Sequence, residues 1–240
     1  MKSAIIGGTG VTSFPSLQLK EQIVSTTYGD VIVYVRQTDD SIVFMQRHGV
    51  GRNKVPPHLI NYKANIEAMR MLKVQQAVAI YAVGSISSLV LPGCYGLIDQ
   101  FIDLSGGGRD ATFYTGSDQK VRHIPMIEPY SKRLRLKLFQ EFSLRGKQVP
   151  MKGTYICTNG PRLETPAEIS MFRKFGADYV GMTAATETIL ANEAEIDFAG
   201  IAFSVNWAAG LDAEGFSFVE EETLTKMVSE LLDVSLKVLS

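Results

Sequence analysis

Cysteine is scarce in this 240-residue chain. Only Cys94 and Cys157 occur, with no CxxC pair between them. Histidine is scarcer than most residues too, at three. Such a set offers no disulfide framework and no zinc-site spacing, so no metal is expected. It suits a reducing compartment, with both thiols in the core. An excess of one charge is also missing: 24 Lys and Arg face 25 Asp and Glu, for a net charge of -1 and a pI near 6.3. Without a basic surplus to neutralise a phosphate backbone, a nucleic-acid partner is not expected. Long apolar runs are absent as well. The first one, Ala4-Ile5-Ile6, is cut at once by Gly7-Gly8, too short for a signal-peptide core. Nothing approaches the roughly 20 apolar residues that span a bilayer. These absences point to a cytoplasmic protein with no membrane partner.

Repeats, low-complexity tracts and Pro/Ser-rich linkers are missing too, so residues 1–240 read as a single domain. Hydrophobic residues make up 45% of the chain, enough to bury a core without staples. Strands are expected at Ser3–Ile6, Val31–Arg36, Ser41–Gln46, Gln76–Tyr81, Gly96–Asp103, Gly153–Cys157, Tyr179–Met182 and Gly200–Val205. Several are apolar throughout rather than alternating, as in strands covered on both faces. Helical patterns lie between them. Leu59–Leu72 places Ile66, Met69 and Leu72 together, and Lys132–Leu144 gathers Leu134, Leu138, Phe142 and Leu144. Two helix starts carry capping boxes, Thr165-Pro166-Ala167-Glu168 and Ser217-Phe218-Val219-Glu220. The expected architecture is α/β, a mixed sheet between helices.

Several strand ends carry chemistry. The first closes in Gly7-Gly8-Thr9-Gly10. It is neither a dinucleotide fingerprint, since Ser13 stands where the last glycine is needed, nor a P-loop. It can present backbone N–H groups and the Thr9 hydroxyl to an anion, or be only a tight turn. Arg47-His48 ends another strand and offers a planar fork and an imidazole to a dianion; each could equally be an ordinary loop residue. Tyr81-Ala82 and Met182-Thr183 end two more. Ligands of open α/β sheets bind where strands finish, so these ends suggest one crevice. Glu164, just before a capped helix, either complements the helix dipole or accepts hydrogen bonds from a ligand. Asn206, beside Trp207, is either a turn residue or an amide that reads a ligand edge. His123 sits in an apolar stretch, and a satisfied partly buried role is as compatible with it as a ligand role.

In order and spacing, Arg47-His48-Gly49, Asn61-Tyr62-Lys63-Ala64-Asn65, Asp99-Gln100-Phe101-Ile102-Asp103, His123-Ile124-Pro125-Met126, Gly160-Pro161-Arg162-Leu163-Glu164-Thr165 and Gly181-Met182-Thr183 resemble the trimeric purine nucleoside phosphorylase and methylthioadenosine phosphorylase family. The resemblance runs nearly the whole chain. It implies a single-domain fold with a central mixed, partly barrel-like sheet flanked by helices. It also implies a homotrimer, no cofactor, and inorganic phosphate as co-substrate of a small-molecule nucleoside. Thr9, Arg47, His48 and Thr183, with the backbone at Tyr81 and Ala82, match its phosphate positions. Tyr81 departs from the small hydroxyl residue of methylthioadenosine enzymes, so its contact is expected through backbone. Met182 matches a ribose contact and Leu163 a base contact. His123 matches a residue reaching the neighbouring subunit's site near the 5′ group.

The resemblance also bears on the base. Adenine-type members carry carboxylic acids where this chain has Asn206 and Ala208. Glu164 accepting from N1–H, with Asn206 donating to O6 and facing N7–H, suits a 6-oxopurine. Glu164, Asn206 and His48 are therefore the expected catalytic residues. No histidine follows His123 to meet a 5′-hydroxyl. Val219, with Phe216 and Phe218 near it, suits a methylthio group instead. Within the family the chain looks most like the bacterial S-methyl-5′-thioinosine phosphorylases. The alternatives are a general inosine/guanosine enzyme and a methylthioadenosine enzyme. A nucleosidase, or an anion-binding regulatory domain without catalysis, would differ by lacking phosphate-dependent turnover.

Overall fold

The computed structural model describes residues 1–8, 11, 17–51, 54–106, 108–116, 121–213 and 215–240. Among the described residues, ten strands form one mixed sheet. They are β1 (Ser3–Gly7), β2 (Leu19–Thr26), β3 (Gly29–Arg36), β4 (Ile42–Gln46), β5 (Gln76–Ser85), β6 (Tyr95–Ile98), β7 (Gln100–Asp103), β8 (Thr154–Cys157), β9 (Tyr179–Gly181) and β10 (Asp197–Trp207). The order is β2-β3-β4-β1-β5-β9-β8-β7, and β10 runs along β5 and pairs with β6. The helices are α1 (Tyr62–Met71), α2 (Lys132–Leu144), α3 (Pro166–Lys174), α4 (Ala184–Glu193) and α5 (Glu221–Leu239).

The unbroken apolar runs in β1, β4 and β5 have the cause expected of them. Side chains alternate across a strand, and both faces here are buried. Ala4, Ile6, Val43, Met45, Ala77 and Ala79 enter one core, which α1 and α4 share. Ile5, Ile42, Phe44, Val78 and Ile80 enter the other, with α2 and α5.

Several sequence expectations change. The segment Gly96–Asp103 is two strands: β6 lies antiparallel to β10, and β7 lies parallel to β8. The chain changes partner at Asp99, whose carboxylate accepts from Gly153 N–H at 2.9 Å. The strand β2 carries Lys20, Glu21 and Gln22 on an exposed sheet edge, where charge hinders further pairing and hides the alternation. The helix α4 is buried on most sides, so it lacks the apolar stripe by which helices are recognised. In α2 the buried apolar residues are Leu134, Leu138 and Phe142, an i, i+4, i+8 row, and Leu144 falls outside it and is exposed. Thr165 does form its capping box. Ser217 does not: its hydroxyl donates to Asp212 at 3.4 Å, and α5 starts after Glu220 with no side-chain cap. Cys157 is buried, which pushes its thiol up to about 12, whereas Cys94 is exposed in the turn before β6.

Phe142→Ala should lower unfolding stability by about 3–5 kcal/mol through the cavity it leaves. Leu144→Ala should stay within about 0.5 kcal/mol of the parent. Urea midpoints of the two variants check this contrast.

Candidate active site

The cleft begins as a gap in the sheet. β10 follows one edge of β5 from Gln76 to Ser85. On the other edge β1 pairs only as far as Ala79, and β9 takes over at Gly84. Between them, no described strand covers the β5 edge from Ile80 to Val83. A cleft of about 210 Å³ opens there. It is lined by the ends of β4 (Arg47, His48), β5 (Tyr81, Ala82, Val83, Gly84), β9 (Met182, Thr183) and β10 (Val205, Asn206), with Leu163 and Glu164 before α3. This is the strand-end crevice that α/β sheets use for ligands.

Arg47 fills one end of the gap. Its Nη1 donates to the Ile80 carbonyl at 3.1 Å, a group left open where β1 stops. Nε and Nη2 donate to the two oxygens of Glu187, each at 2.8 Å. The Tyr81 hydroxyl donates to the same carboxylate at 2.7 Å, and the Tyr81 ring lies 4.4 Å from the guanidinium carbon. Arg47 is 2% exposed and Glu187 0%. Burial disfavours the Arg47 cation, but the Glu187 carboxylate outweighs it and holds its pKa above the usual arginine value. Gly8 is required here: a Cβ at that position would come within 2.4 Å of Arg47 Nη1. Arg47 thus packs directly against the Gly8 backbone at the end of β1.

Thr183 precedes α4, whose first N–H groups and dipole favour an anion. Its hydroxyl makes no capping hydrogen bond. His48 Nδ1 lies 2.9 Å from the Val55 carbonyl. A carbonyl only accepts, so Nδ1 carries the hydrogen. Burial lowers the imidazole pKa, and Arg47 lowers it further, against the raising effect of the Val55 bond. At neutral pH His48 is therefore uncharged and its Nε2 is an acceptor. The sequence suggested a donor to a dianion; in the resting site it instead suits a partner that brings its own proton.

The opposite end carries the amide and the carboxylate. Thr158 Oγ1 donates to Glu164 Oε1 at 2.7 Å, which orients that carboxylate and commits one oxygen. Asn206, 6% exposed, donates Nδ2 to the Trp207 carbonyl at 2.6 Å, leaving Oδ1 and a second N–H for a ligand. A bulge in β10 between Ser204 and Asn206 lets adjacent Val205 and Asn206 both line the cleft, which a regular strand forbids. Met182 is held from behind, since Gly160, at φ 63°, has no Cβ to collide with its sulfur. The loop residue Arg109 binds the Met182 carbonyl at 2.6 Å and the Asn159 carbonyl at 2.8 Å.

Of the residues singled out in the sequence, Arg47, His48, Tyr81, Ala82, Leu163, Glu164, Met182, Thr183, Asn206 and Ala208 come together in this cleft. Thr9 lies outside the described residues. Trp207 and Val219 line a separate depression with Leu91, Pro92 and Asp212. Alternation turns Trp207 away from Asn206, and Val219 N–H is tied to the Val205 carbonyl at 2.8 Å. The apolar mouth is built instead by Phe216 and Phe218, edge to face with centroids 5.0 Å apart. His123 is exposed and lines no part of its own chain's cleft. Sequence reasoning missed Glu187 and Thr158. The one signal for Glu187 was its spacing, one helical turn beyond Thr183. Among the described residues, no group of three or more His, Cys, Asp or Glu is placed to hold a metal.

The ten-stranded mixed sheet thus carries a buried guanidinium at one end of a strand-end cleft, and a carboxylate and amide at the other. The chain belongs to the Phosphorylase superfamily, whose model matches residues 2–240. It is 40% identical over 233 residues to the 6-oxopurine nucleoside phosphorylase of Pyrococcus furiosus, covering 95% of this chain and 87% of that protein. It is 42% identical over 225 residues to a "Probable S-methyl-5'-thioinosine phosphorylase" of Methanopyrus kandleri, covering 90% and 85%. Among solved structures it is similar to the apo methylthioadenosine phosphorylase of Schistosoma mansoni, with TM-score 0.89 and 28% identity over 99% of this chain and 90% of the other.

By NMR titration the His48 imidazole should titrate below 6.5. Between that value and 6.5 the unfolded chain binds a proton that the folded chain does not, so stability should fall as pH drops through this window. A titration at or above 6.5 would show that the Val55 bond and nearby charges outweigh burial.

Proposed function

We propose that this chain catalyses phosphorolysis of 6-oxopurine nucleosides, with S-methyl-5′-thioinosine as the preferred substrate and hypoxanthine and 5-methylthioribose 1-phosphate as products. The observation that carries the reading is the polarity of the cleft: Arg47, His48 and Thr183 at one end, Glu164 and Asn206 at the other. The two relatives named for 6-oxopurine and methylthioinosine substrates support it.

Phosphate is assigned to Arg47, His48, Thr183 and the open Tyr81–Ala82 backbone, together with Thr9. Tyr81 takes part through its main chain, because its hydroxyl is committed to Glu187. The purine is assigned to Glu164, Asn206 and Leu163, and the ribose to Met182. The glycosidic bond breaks with its electron pair going to the base, and a phosphate oxygen attacks C1′ from the opposite face. The proton that HPO₄²⁻ gives up ends on the purine, where Asn206 Oδ1 accepts from N7–H. Positioning and charge complementarity supply the acceleration, so no cofactor is assigned.

The base preference follows from hydrogen-bond donors and acceptors. Glu164 accepts from N1–H and Asn206 donates to O6, whereas adenine presents an acceptor and a donor at those two places. A site built on such bonds discriminates by about 10⁴-fold. Phe216 and Phe218 at the mouth favour an apolar 5′ substituent over a hydroxyl. We assign the exposed His123 to a partner's cleft in a cytoplasmic homotrimer.

An assay panel with phosphate tests the reading: methylthioinosine, inosine, guanosine, adenosine and methylthioadenosine. Methylthioinosine should give the highest kcat/KM, and turnover should require phosphate. Phosphate-independent release of base would mean a nucleosidase instead. Asn206→Asp should shift the kcat/KM ratio toward 6-aminopurines by about tenfold or more; an unchanged ratio would remove Asn206 from base recognition.

A further inference from the structure

The Glu187 carboxylate is fully buried and reaches neither the base nor the sugar end of the cleft, yet it takes three hydrogen bonds. We infer that Glu187, braced by the Tyr81 hydroxyl, is the positioning residue that aims the Arg47 guanidinium at the phosphate. The inference rests on the phosphate assignment made above and extends it to a residue that does not itself line the cleft.

The geometry limits what Glu187 can be doing. A guanidinium has five N–H donors. Two go to Glu187 and one to the Ile80 carbonyl, which leaves one N–H on Nη1 and one on Nη2. Both lie on the part of the guanidinium that Glu187 leaves uncovered, where N–H donors can meet phosphate oxygens. Holding the Nε–Nη2 edge on Glu187 therefore leaves these two donors for the anion.

A long arginine side chain would otherwise lose considerable rotamer freedom on binding. Here the Gly8 backbone, the Tyr81 ring and the bidentate carboxylate have already restricted it. The carboxylate also keeps the guanidinium inside the protein, where an uncompensated charge is costly. Its position comes from one turn of α4: residues i and i+4 share a helix face, so the helix start that brings the Thr183 hydroxyl to the cleft also brings Glu187 behind Arg47.

Two variants and one control test the inference, with inorganic phosphate as the probe. Glu187→Gln keeps the side-chain shape but loses the paired carboxylate. It should weaken phosphate binding, read by titration calorimetry and as KM for phosphate, by about tenfold or more, with KM for methylthioinosine nearly unchanged. Tyr81→Phe removes only the brace, so it should fold even if Glu187→Gln does not. It should raise KM for phosphate by about threefold, again without moving the nucleoside KM. Arg47→Ala is the control. If Arg47→Ala weakens phosphate binding while Tyr81→Phe and any folded Glu187→Gln match or exceed the parent, the positioning role is wrong and the phosphate assignment stands. Equal rises in both KM values would mark a general structural role and also overturn the inference. If Arg47→Ala leaves phosphate binding unchanged, the assignment and the inference fall together.

Discussion

The departure of β1 from β5 at Ala79, before β9 arrives at Gly84, is the constraint on which the site depends. A sheet edge left open inside a protein has backbone groups that need partners. Arg47 supplies one through the Ile80 carbonyl, and a buried cation then needs a counter-charge. Glu187 provides it from α4, and the hydroxyl of Tyr81, a residue of the open edge itself, completes the cluster. The same opening that costs the sheet several rungs thus brings strand backbone, a fixed guanidinium and a helix start to one small volume. In this arrangement one buried cluster of side chains meets the energetic demand of a split sheet.

The far end of the cleft works by commitment rather than by charge. Thr158 occupies one oxygen of Glu164, and the Trp207 carbonyl occupies one N–H of Asn206. Each side chain is thereby oriented, and each keeps free valences of known type. The bulge in β10 matters as much as residue choice, since it allows Val205 and Asn206 to turn toward the cleft in succession. This end pairs an acceptor with a donor, while the mouth beside it carries Phe216 and Phe218.

Much of this was legible before any coordinates. The apolar runs of β1, β4 and β5 announced strands covered on both faces, and the capping box at Thr165 marked the start of α3. Arg47, Glu164, Thr183 and Asn206 stood at strand ends or before a helix, where side chains can converge. Other features were hidden for physical reasons. β2 is an exposed edge, so its charges mask the alternation. α4 is buried nearly all round, so Thr186, Glu187 and Thr188 break the apolar pattern without marking a solvent face. Trp207 and Val219 line a neighbouring depression, because sequence proximity to Asn206 and Phe218 does not say which side of the strand or loop a side chain leaves.

The sequence by itself determined the α/β class and the set of strand-end residues, because burial periodicity and turn chemistry are local. Only the tertiary structure decided that β1 and β9 share one edge of β5 with a gap between them. It alone put Glu187 behind Arg47, 140 positions further along the chain, and turned His48 into a neutral acceptor. Those outcomes depend on which elements pack together and on how far water is excluded from the charges between them, and neither quantity is encoded within a single segment.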